Sequence, residues 1–304
     1  MSNYLVVGAG CIGATITRLL VDRGDTVTVA TRRGTVLPGA LAVRVDAADA
    51  VAVTRVARGK DAIVNCANPP YGKWATLWPP IFAAMVGAAG VSEAALVTIG
   101  NLYPYGRARM PMTENSPERP ADHKGEIRQD GWALAKAAHD AGEIRAVEVR
   151  ASDYFGPGAG AAAHLGRDFF VPLMTGAAAK VVGDPAQAHS WAYLPDIAAT
   201  AVAALDFTGE WGRIWHVPAA SQKSRVEIAD QLSAEFGATG RLSAYPSAVL
   251  ALAGLFSLDI REVRRSSYQF TGPFISSAAI TEQELGVSAT PWRAALTATV
   301  DSYR

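Results

Sequence analysis

The sequence predicts an α/β fold built on a doubly wound parallel sheet, and three observations lead to that prediction. Apolar, strand-like segments alternate with helical patterns from residue 4 to residue 99. The strands contain almost no polar side chains, which is typical of parallel strands covered on both faces. A glycine-rich turn joins the first strand to the first helix. Strands that alternate with helices form right-handed βαβ units and therefore a parallel sheet.

Each element of this sheet follows from a local pattern. Short apolar or β-branched runs predict the strands Tyr4–Val7, Thr26–Ala30, Leu41–Val45, Asp61–Asn65, Ala94–Ile99 and Arg145–Val149. Apolar residues at helical spacing predict the helices Cys11–Arg23, Asp49–Arg58, Trp74–Ala89 and Asp122–Ala141 between them. Residues 101–121 contain four prolines and few apolar repeats, so they form a long loop after the fifth strand, where loops are often functional.

The second half mixes shorter elements and predicts a smaller lobe. The sequence GPGAGAA, residues 156–162, predicts a flexible turn. Strands are expected at Lys180–Val182 and Ile214–Val217, and helices at Asp196–Asp206, Arg225–Phe236 and Ser247–Phe256. Thr290 and Pro291 resemble the N-cap and the first residue of a last helix. We expect a dinucleotide-binding domain over residues 1–155, to which a segment at about 180–207 returns. Residues 156–304 form mainly a substrate-binding lobe that is discontinuous in sequence, and Trp215–Pro218 closes it.

Composition excludes several classes of protein. Lys and Arg number 28, as do Asp and Glu, so the formal net charge is zero; 50 % of the residues are hydrophobic. Such a chain is neither disordered nor a nucleic-acid binder. Its longest uninterrupted apolar run, Ile81–Val91, has 11 residues, too few to span a membrane. With two cysteines, and no positively charged flank before the first apolar run, we expect a cytoplasmic protein without membrane, metal or nucleic-acid partners.

The first turn carries a phosphate-binding pattern. Gly8, Gly10 and Gly13 enclose Cys11 and Ile12 in the spacing G-x-G-x-x-G, directly after a strand and at the start of a helix. In this context the first glycine allows a tight turn, the second allows a pyrophosphate to approach, and the third packs against the sheet. The free N–H groups at the positive end of the helix then bind the phosphates. A dinucleotide is therefore the expected cofactor.

The end of the second strand favours NADP over NAD. A NAD site has a carboxylate at this position for the ribose 2′-hydroxyl. This chain instead has Thr31, Arg32 and Arg33, and a guanidinium suits a 2′-phosphate because it donates two parallel hydrogen bonds. Asp46 and Ala47 follow the third strand and are expected at the adenine. After the fourth strand, we expect two further residues along the middle of the cofactor, Ala67 and Asn68.

Several segments resemble one family over essentially the whole chain. They are GAGCIG, DAIVNCA, IGNLYPYG, TENSPERP, VRASDYFGPG and HSWAYLPDIA. In this combination the sequence is similar to the short-chain dehydrogenase/reductase superfamily, and most to its extended, NAD-dependent epimerase/dehydratase branch. The resemblance implies a nicotinamide cofactor and a catalytic set of Ser or Thr, Tyr, and a Lys four residues after the Tyr. It also implies that Ala151 and Ser152 contact the nicotinamide end of the cofactor.

The sequence departs from this pattern at the catalytic positions. Asn101 aligns with the family's Ser or Thr, and no tyrosine occurs between Tyr105 and Tyr154. The best alignment puts Lys124 in the place of the tyrosine and Arg128 in the place of the lysine, on one helix face. Three alternatives follow. Lys124 is the acid/base and also contacts the cofactor; or a tyrosine from a nearby loop, Tyr103, Tyr105 or Tyr154, replaces the missing one; or hydride chemistry is lost.

Three functions fit these observations. The first is an NADP-dependent oxidoreductase that acts on a carbonyl, alcohol or activated alkene of a small molecule. The second is a sugar-nucleotide epimerase or dehydratase that uses NAD. The third is a non-catalytic regulator that binds NADP. The apolar helix at Leu250–Phe256 is either lobe core or the face of a homodimer.

Overall fold

The computed structural model describes residues 1–160 and 163–304, and its centre is a seven-stranded parallel sheet. Its strands are β1 (Asn3–Val7), β2 (Thr26–Thr31), β3 (Leu41–Arg44), β4 (Ala62–Asn65), β5 (Ala95–Asn101), β6 (Ala146–Ala151) and β10 (Arg213–His216). They lie in the order β10-β6-β5-β4-β1-β2-β3. The predicted fold class, an α/β doubly wound parallel sheet, is confirmed. Residues 161 and 162 of the predicted GPGAGAA turn lie outside the described residues.

Helices cover both faces of this sheet, because alternate residues of each strand face opposite sides. On β1, Tyr4 and Val6 join the apolar cluster of one face, and Leu5 and Val7 join the cluster of the other. The first face is covered by α1 (Cys11–Asp22) and α6 (Leu194–Asp206). The second is covered by α2 (Ala50–Ala57), α3 (Trp74–Ser92) and α4 (His123–Asp140). β1 is therefore apolar from Tyr4 to Val7, as predicted for a strand that is covered on both faces.

The third helix is unusually apolar. The segment Tyr71–Ser92 is long and apolar enough to cross a membrane by length and composition alone. In the structure, Trp78, Phe82 and Met85 of α3 are buried in the cluster on the second face of the sheet. The helix also packs against α2 and α4. This is the packing of a core helix, so the hydropathy of the segment is weak evidence for a membrane span.

A second lobe is built from several later segments. Its strands form two small sheets, β7 (Tyr154–Phe155) with β9 (Trp191–Tyr193) and β11 (Ala219–Ser221), and β8 (Ala178–Val181) with β12 (Arg241–Ala244). Its helices are α5 (Arg167–Met174), α7 (Arg225–Phe236), α8 (Ser247–Phe256), α9 (Leu258–Arg265) and α11 (Trp292–Asp301). A separate apolar cluster that contains Phe155, Phe170 and Trp191 joins these strands to α5, α7 and α11. A further helix, α10 (Ala279–Leu285), packs back against β10 and α6.

Two details correct the sequence analysis. The segment Trp215–Pro218 was assigned to the second lobe, but β10 pairs in parallel with β6 at the edge of the main sheet. The last helix starts at Trp292, so Pro291 is its N-cap and Thr290 does not cap it. Thr290 instead donates two hydrogen bonds to the buried carboxylate of Asp196, from its N–H and from its hydroxyl. A buried carboxylate requires such donors, and this requirement outweighs the local capping preference.

Candidate active site

A cleft opens at the carboxyl ends of the central strands. Its volume is about 320 Å³. β1 lies between β2 and β4. The next strands, β2 and β3, extend the sheet to one side of β1, and the later strands from β4 onwards extend it to the other side. Ligands of doubly wound sheets bind at this type of position. Most of the predicted cofactor residues line the cleft: Gly8, Gly10, Thr31, Arg32, Arg33, Asp46, Ala47, Ala67 and Asn68. The sequence analysis missed Thr35, Pro69, Leu77 and Ile81, which also line it.

The glycine loop has the geometry that a pyrophosphate needs. Gly8 has a φ of +104°, and a Cβ there would lie 2.6 Å from the carbonyl oxygen of Cys66. A Cβ on Gly13 would collide with the carbonyl oxygen of Gly8. A Cβ on Gly10, in contrast, meets nothing within 4 Å. Gly10 is the N-cap of α1 and no side chain caps this end, so the helix presents free N–H groups to open space.

The far end of the cleft contains the two arginines. Arg32 and Arg33 are exposed and lie in its wall. The hydroxyl of Thr31 already accepts a hydrogen bond from the N–H of Thr35, 2.8 Å away, so it shapes the turn after β2. Asp46 likewise accepts a bond from the N–H of Ala48. Among the described residues that line the cleft, the positively charged side chains are those of Arg32 and Arg33.

The remaining predicted cofactor residues lie outside the lining of the cleft. Ile12, in the first turn of α1, packs against the core on the first face of the sheet. Ala151 and Asn101 are register partners at the ends of β6 and β5, and Ser152 is buried directly after Ala151. Asn101 turns its side-chain oxygen back to the N–H of Tyr103. Asn101, Ala151 and Ser152 thus lie at the carboxyl ends of β5 and β6, where the nicotinamide end of the cofactor is expected.

The side chain of Lys124 is enclosed by other groups of the protein. Its Nζ donates a hydrogen bond to the carbonyl oxygen of Tyr71 and lies 3.8 Å from the centroid of the Tyr71 ring. The ring of Trp74 is 4.8 Å away, and an oxygen of Glu262 on α9 is 3.6 Å away. Burial lowers the pKa of Lys124, and Glu262 opposes this effect only in part. Two aromatic rings and one carboxylate therefore hold an amine that loses its proton more readily than usual.

Arg128 lies deeper than Lys124 and is part of the core. Its Nη2 donates to the carbonyl oxygen of Ile99, 2.5 Å away, and lies 3.6 Å from the buried carboxylate of Glu148. Its guanidinium is 4.5 Å from the centre of the Trp78 ring. These contacts fix α4 against β5 and β6. The structure therefore gives Arg128 a packing role and does not bring it to the cleft.

Two predicted tyrosines occupy different places. The hydroxyl of Tyr105 lies 2.8 Å from Nε2 of His216 on β10, four strands away from β1. Burial raises its pKa. The hydroxyl of Tyr105 is therefore engaged with His216, and Tyr105 is not among the described residues that line the cleft. That it replaces the missing tyrosine stays a prediction. The hydroxyl of Tyr154 lies 3.6 Å from Sγ of Cys11 in the first turn of α1, and burial raises its pKa as well.

A pair of tyrosines, Tyr71 and Tyr103, lies beside Lys124. Tyr71 belongs to a 3₁₀ turn, Tyr71–Lys73, soon after cleft residue Pro69, and its hydroxyl donates to Ser266, 2.7 Å away. Burial raises the pKa of Tyr71 to about 12 and that of Tyr103 well above its usual value. The sequence analysis named Tyr103 but missed Tyr71. The doublet Pro69-Pro70 indicates a turn there, but nothing local indicates that Lys124 packs on it.

A buried acid–histidine pair lies on the lobe side of these tyrosines. Nε2 of His189 is 2.8 Å from Oδ2 of Asp153. Burial favours the neutral acid, but the hydrogen bond to His189 and the nearby charges, Arg225 among them, together outweigh it and hold the pKa of Asp153 below its usual value. His189 is stacked against Phe270 and Phe274. The charge of Asp153 also contributes to the raised pKa values of Tyr71 and Tyr103.

Comparison with known proteins places this geometry in a family. No curated protein matches the sequence. Solved structures that share the fold include the following three. UDP-glucuronic acid 4-epimerase from Bacillus cereus, in complex with NAD, is 16 % identical, with 99 % of this chain and 100 % of that one covered and a TM-score of 0.80. The dTDP-glucose 4,6-dehydratase of Streptomyces venezuelae, with NAD bound, is 21 % identical over 99 % and 97 % of the chains, with a TM-score of 0.79. UDP-glucose 4-epimerase from Thermotoga maritima is 14 % identical over 99 % and 98 %, with a TM-score of 0.82.

The family model reaches from the first strand to the edge of the main sheet. The model of the NAD dependent epimerase/dehydratase family matches residues 4–217. That range begins in β1, contains the glycine loop and the cleft, and ends just after β10. The resemblance to the extended branch of the short-chain dehydrogenases is thereby confirmed. This chain belongs to the NAD-dependent epimerase/dehydratase family.

Proposed function

We propose that the chain is an epimerase or dehydratase that binds NAD in the cleft and acts on a sugar nucleotide. The observation that carries this proposal is the open space at Gly10, in front of the uncapped end of α1. Family membership and the NAD-bound epimerases and dehydratases of the same fold support NAD and a sugar nucleotide. They favour this function over an NADP-dependent oxidoreductase, which the sequence analysis put first.

Two parts of the chain have separate tasks: the glycine loop binds the cofactor, and Lys124 transfers a proton. The loop Gly8–Gly13 binds the phosphates at the helix end. A bound NAD would supply reversible hydride transfer with a carbon of the substrate. Nζ of Lys124 would accept the proton from the hydroxyl on that carbon. Burial lowers the pKa of Lys124, which favours the neutral amine more than in an exposed lysine. Glu262 and the ring of Tyr71 then hold the charged form.

Two measurements test the proposal. Calorimetric titration of the purified protein with NAD is expected to show one site per chain. Incubation with NAD and a panel of UDP- and dTDP-linked hexoses is expected to yield an epimer or a dehydrated sugar, detected by mass spectrometry and NMR. Binding of NAD without turnover of any sugar nucleotide would leave a non-catalytic binding protein, and would overturn the enzymatic part of the proposal.

Lys124→Met is the variant that tests the proton-transfer group. It keeps the length of the side chain and removes the amine. We expect turnover to fall by about 100-fold or more, which is the usual contribution of a general acid or base. Binding of NAD should change little, because Lys124 lies outside the lining of the cleft. Lys136→Met on the exposed side of α4 is the matched control. Equal turnover in the two variants would exclude Lys124 as the proton-transfer group.

The arginines at the end of β2 favour a second candidate, an NADP-dependent oxidoreductase. Arg32 and Arg33 line the cleft, and no acid stands beside them after β2. Competitive titration decides between the two cofactors. Our proposal predicts tighter binding of NAD than of NADP, and Arg32→Ala/Arg33→Ala should then weaken only the binding of NADP. Arg58→Ala, at the end of α2, controls for a general loss of positive charge. Tighter binding of NADP by the unaltered protein would favour the second candidate.

A further inference from the structure

Helix α8 exposes an unusually apolar side. Val249 is 52 % exposed, Leu252 63 %, Leu255 75 % and Phe256 87 %. These residues follow the spacing i, i+3, i+6 and i+7, so they form one stripe on the outer side of the helix. Isolated apolar residues on a surface are ordinary, but a contiguous patch of several hundred Å² marks a site of interaction. All four side chains of this stripe are more than half exposed.

The stripe lies on the outside of a helical hairpin that is fixed on its inside. α8 and α9 are joined at Ser257 and pack against each other. The carboxylate of Asp259 on α9 accepts a bond from the N–H of Gly72, 2.9 Å away. Glu262, also on α9, is buried against His123 and Lys124. The hairpin is therefore attached to the candidate active site through α9, and its outermost part is the turn around Leu255, Phe256 and Leu258.

The second helix of the hairpin carries exposed cations. Arg261, Arg264 and Arg265 are exposed on α9, and Arg265 pairs with the buried Glu262. Of the two acids on α9, Glu262 is thus used in ion pairs and Asp259 in its bond to Gly72. The outer surface of the hairpin combines apolar side chains with positive charge. This combination is typical of segments that lie in the interface of a membrane with anionic lipids.

We propose that the α8–α9 hairpin docks onto the surface of an anionic membrane, with Leu255, Phe256 and Leu258 among the lipid headgroups. The alternative occupant is a second copy of this chain. A two-fold dimer brings the same patch against itself, so the arginines of the two copies would approach each other. A helix of ten residues is also only about 15 Å long, and a stable dimer buries about 800 Å² on each partner. A lipid surface accommodates both the charge and the small area.

Sedimentation with lipid vesicles tests this inference on the full chain. We expect the protein to bind vesicles of equal parts phosphatidylcholine and phosphatidylglycerol, and to bind pure phosphatidylcholine much more weakly. Binding should decrease as salt is added, because exposed charges are screened. Leu255→Ser/Phe256→Ser should weaken binding about tenfold or more, since two large apolar side chains no longer enter the interface. Arg261→Gln and Arg264→Gln should each weaken it about fivefold.

Val51→Ser/Val91→Ser is the matched control. These residues are also exposed and apolar, but they lie on α2 and α3. The control is expected to bind anionic vesicles like the unaltered protein. Failure of the unaltered protein to bind anionic vesicles overturns the proposal, as does equal binding of the two double variants. Light scattering of the protein in solution tests the alternative occupant, a second copy of this chain. A dimer that Leu255→Ser/Phe256→Ser dissociates would assign the stripe to a second copy and overturn membrane docking.

Discussion

At the scale of single residues, burial changes the protonation of individual polar side chains, and a histidine on β10 is one of them. His216 is fully buried at the end of β10. Its Nδ1 lies 2.9 Å from the carbonyl oxygen of Ser277, so Nδ1 carries the proton and Nε2 accepts the hydroxyl of Tyr105. Burial lowers the pKa of His216 from 6.5 to about 3. The ring is therefore neutral in the folded protein over a pH range in which it is charged in the unfolded chain.

This difference predicts a dependence of stability on pH. Between about pH 3 and 6.5 the unfolded chain binds the additional proton, so the free energy of unfolding rises with pH in that window. One such group contributes a slope of about 1.4 kcal/mol per pH unit. His216→Gln should therefore show a slope smaller by about that amount in urea unfolding at pH 5, 5.5 and 6. Tyr105→Phe, which keeps the buried imidazole, should keep the slope. Equal slopes in all three proteins would contradict the prediction.

The residues also show why the sequence predicts the cofactor cleft better than the proton-transfer group. The roles of Gly10 and Gly13 are local, because Gly10 is the N-cap of α1 and Gly13 packs against the carbonyl oxygen of Gly8. The environment of Lys124 is not local. Its partners are Tyr71 from a 3₁₀ turn and Glu262 from α9, which is 138 positions later in the chain. No spacing rule connects such positions, so the sequence could place Lys124 on α4 but could not show that it is enclosed.

At the scale of elements, local patterns predict helices well and strand pairing poorly. The α8 bounds, Ser247–Phe256, agree with the prediction, because a continuous apolar helix has a strong local pattern. β10 has only four residues. Its apolar character predicts a strand but contains no information about its neighbour. It pairs with β6, more than sixty positions earlier, through the parallel register of Arg213 with Val147. The short strands β7 and β9 were missed for a similar reason, since two or three residues show no period.

The first βα unit gives a prediction at this scale. Gly10→Val should fold with nearly unchanged stability, since a Cβ there meets nothing within 4 Å and the backbone is extended. The new side chain would stand in front of the free N–H groups of α1, so NAD binding should fall by about 100-fold or more. Gly13→Val should instead lower the melting temperature, because its Cβ collides with the carbonyl oxygen of Gly8. Calorimetric titration and thermal unfolding of both variants separate these effects. Unchanged NAD affinity in Gly10→Val would exclude this loop as the phosphate site.

At the scale of the whole molecule, the chain returns to the main sheet after it has built part of the second lobe. α6 packs against α1 on the first face of the sheet, and β10 extends the sheet beyond β6. α11 lies in the apolar cluster of the lobe. The segment just before α11 contacts the first turn of α6 through Thr290 and Asp196. This buried contact joins the end of the chain to the dinucleotide-binding part, so it links the stability of the two parts.

Thr290→Val tests that link. The substitution keeps the shape of the side chain but removes the hydroxyl that donates to Asp196, 2.6 Å away. Burial raises the pKa of Asp196 even with this donor present, so the ionised carboxylate loses part of its compensation. We expect the free energy of unfolding to fall by about 1–3 kcal/mol at pH 7. Thr290→Ser, which keeps the donor, should lose much less. The difference between Thr290→Val and the unaltered protein should shrink at acidic pH, where Asp196 becomes protonated in both. A loss of the same size in Thr290→Ser, or one independent of pH, would show that the methyl group and not the hydrogen bond joins the two parts.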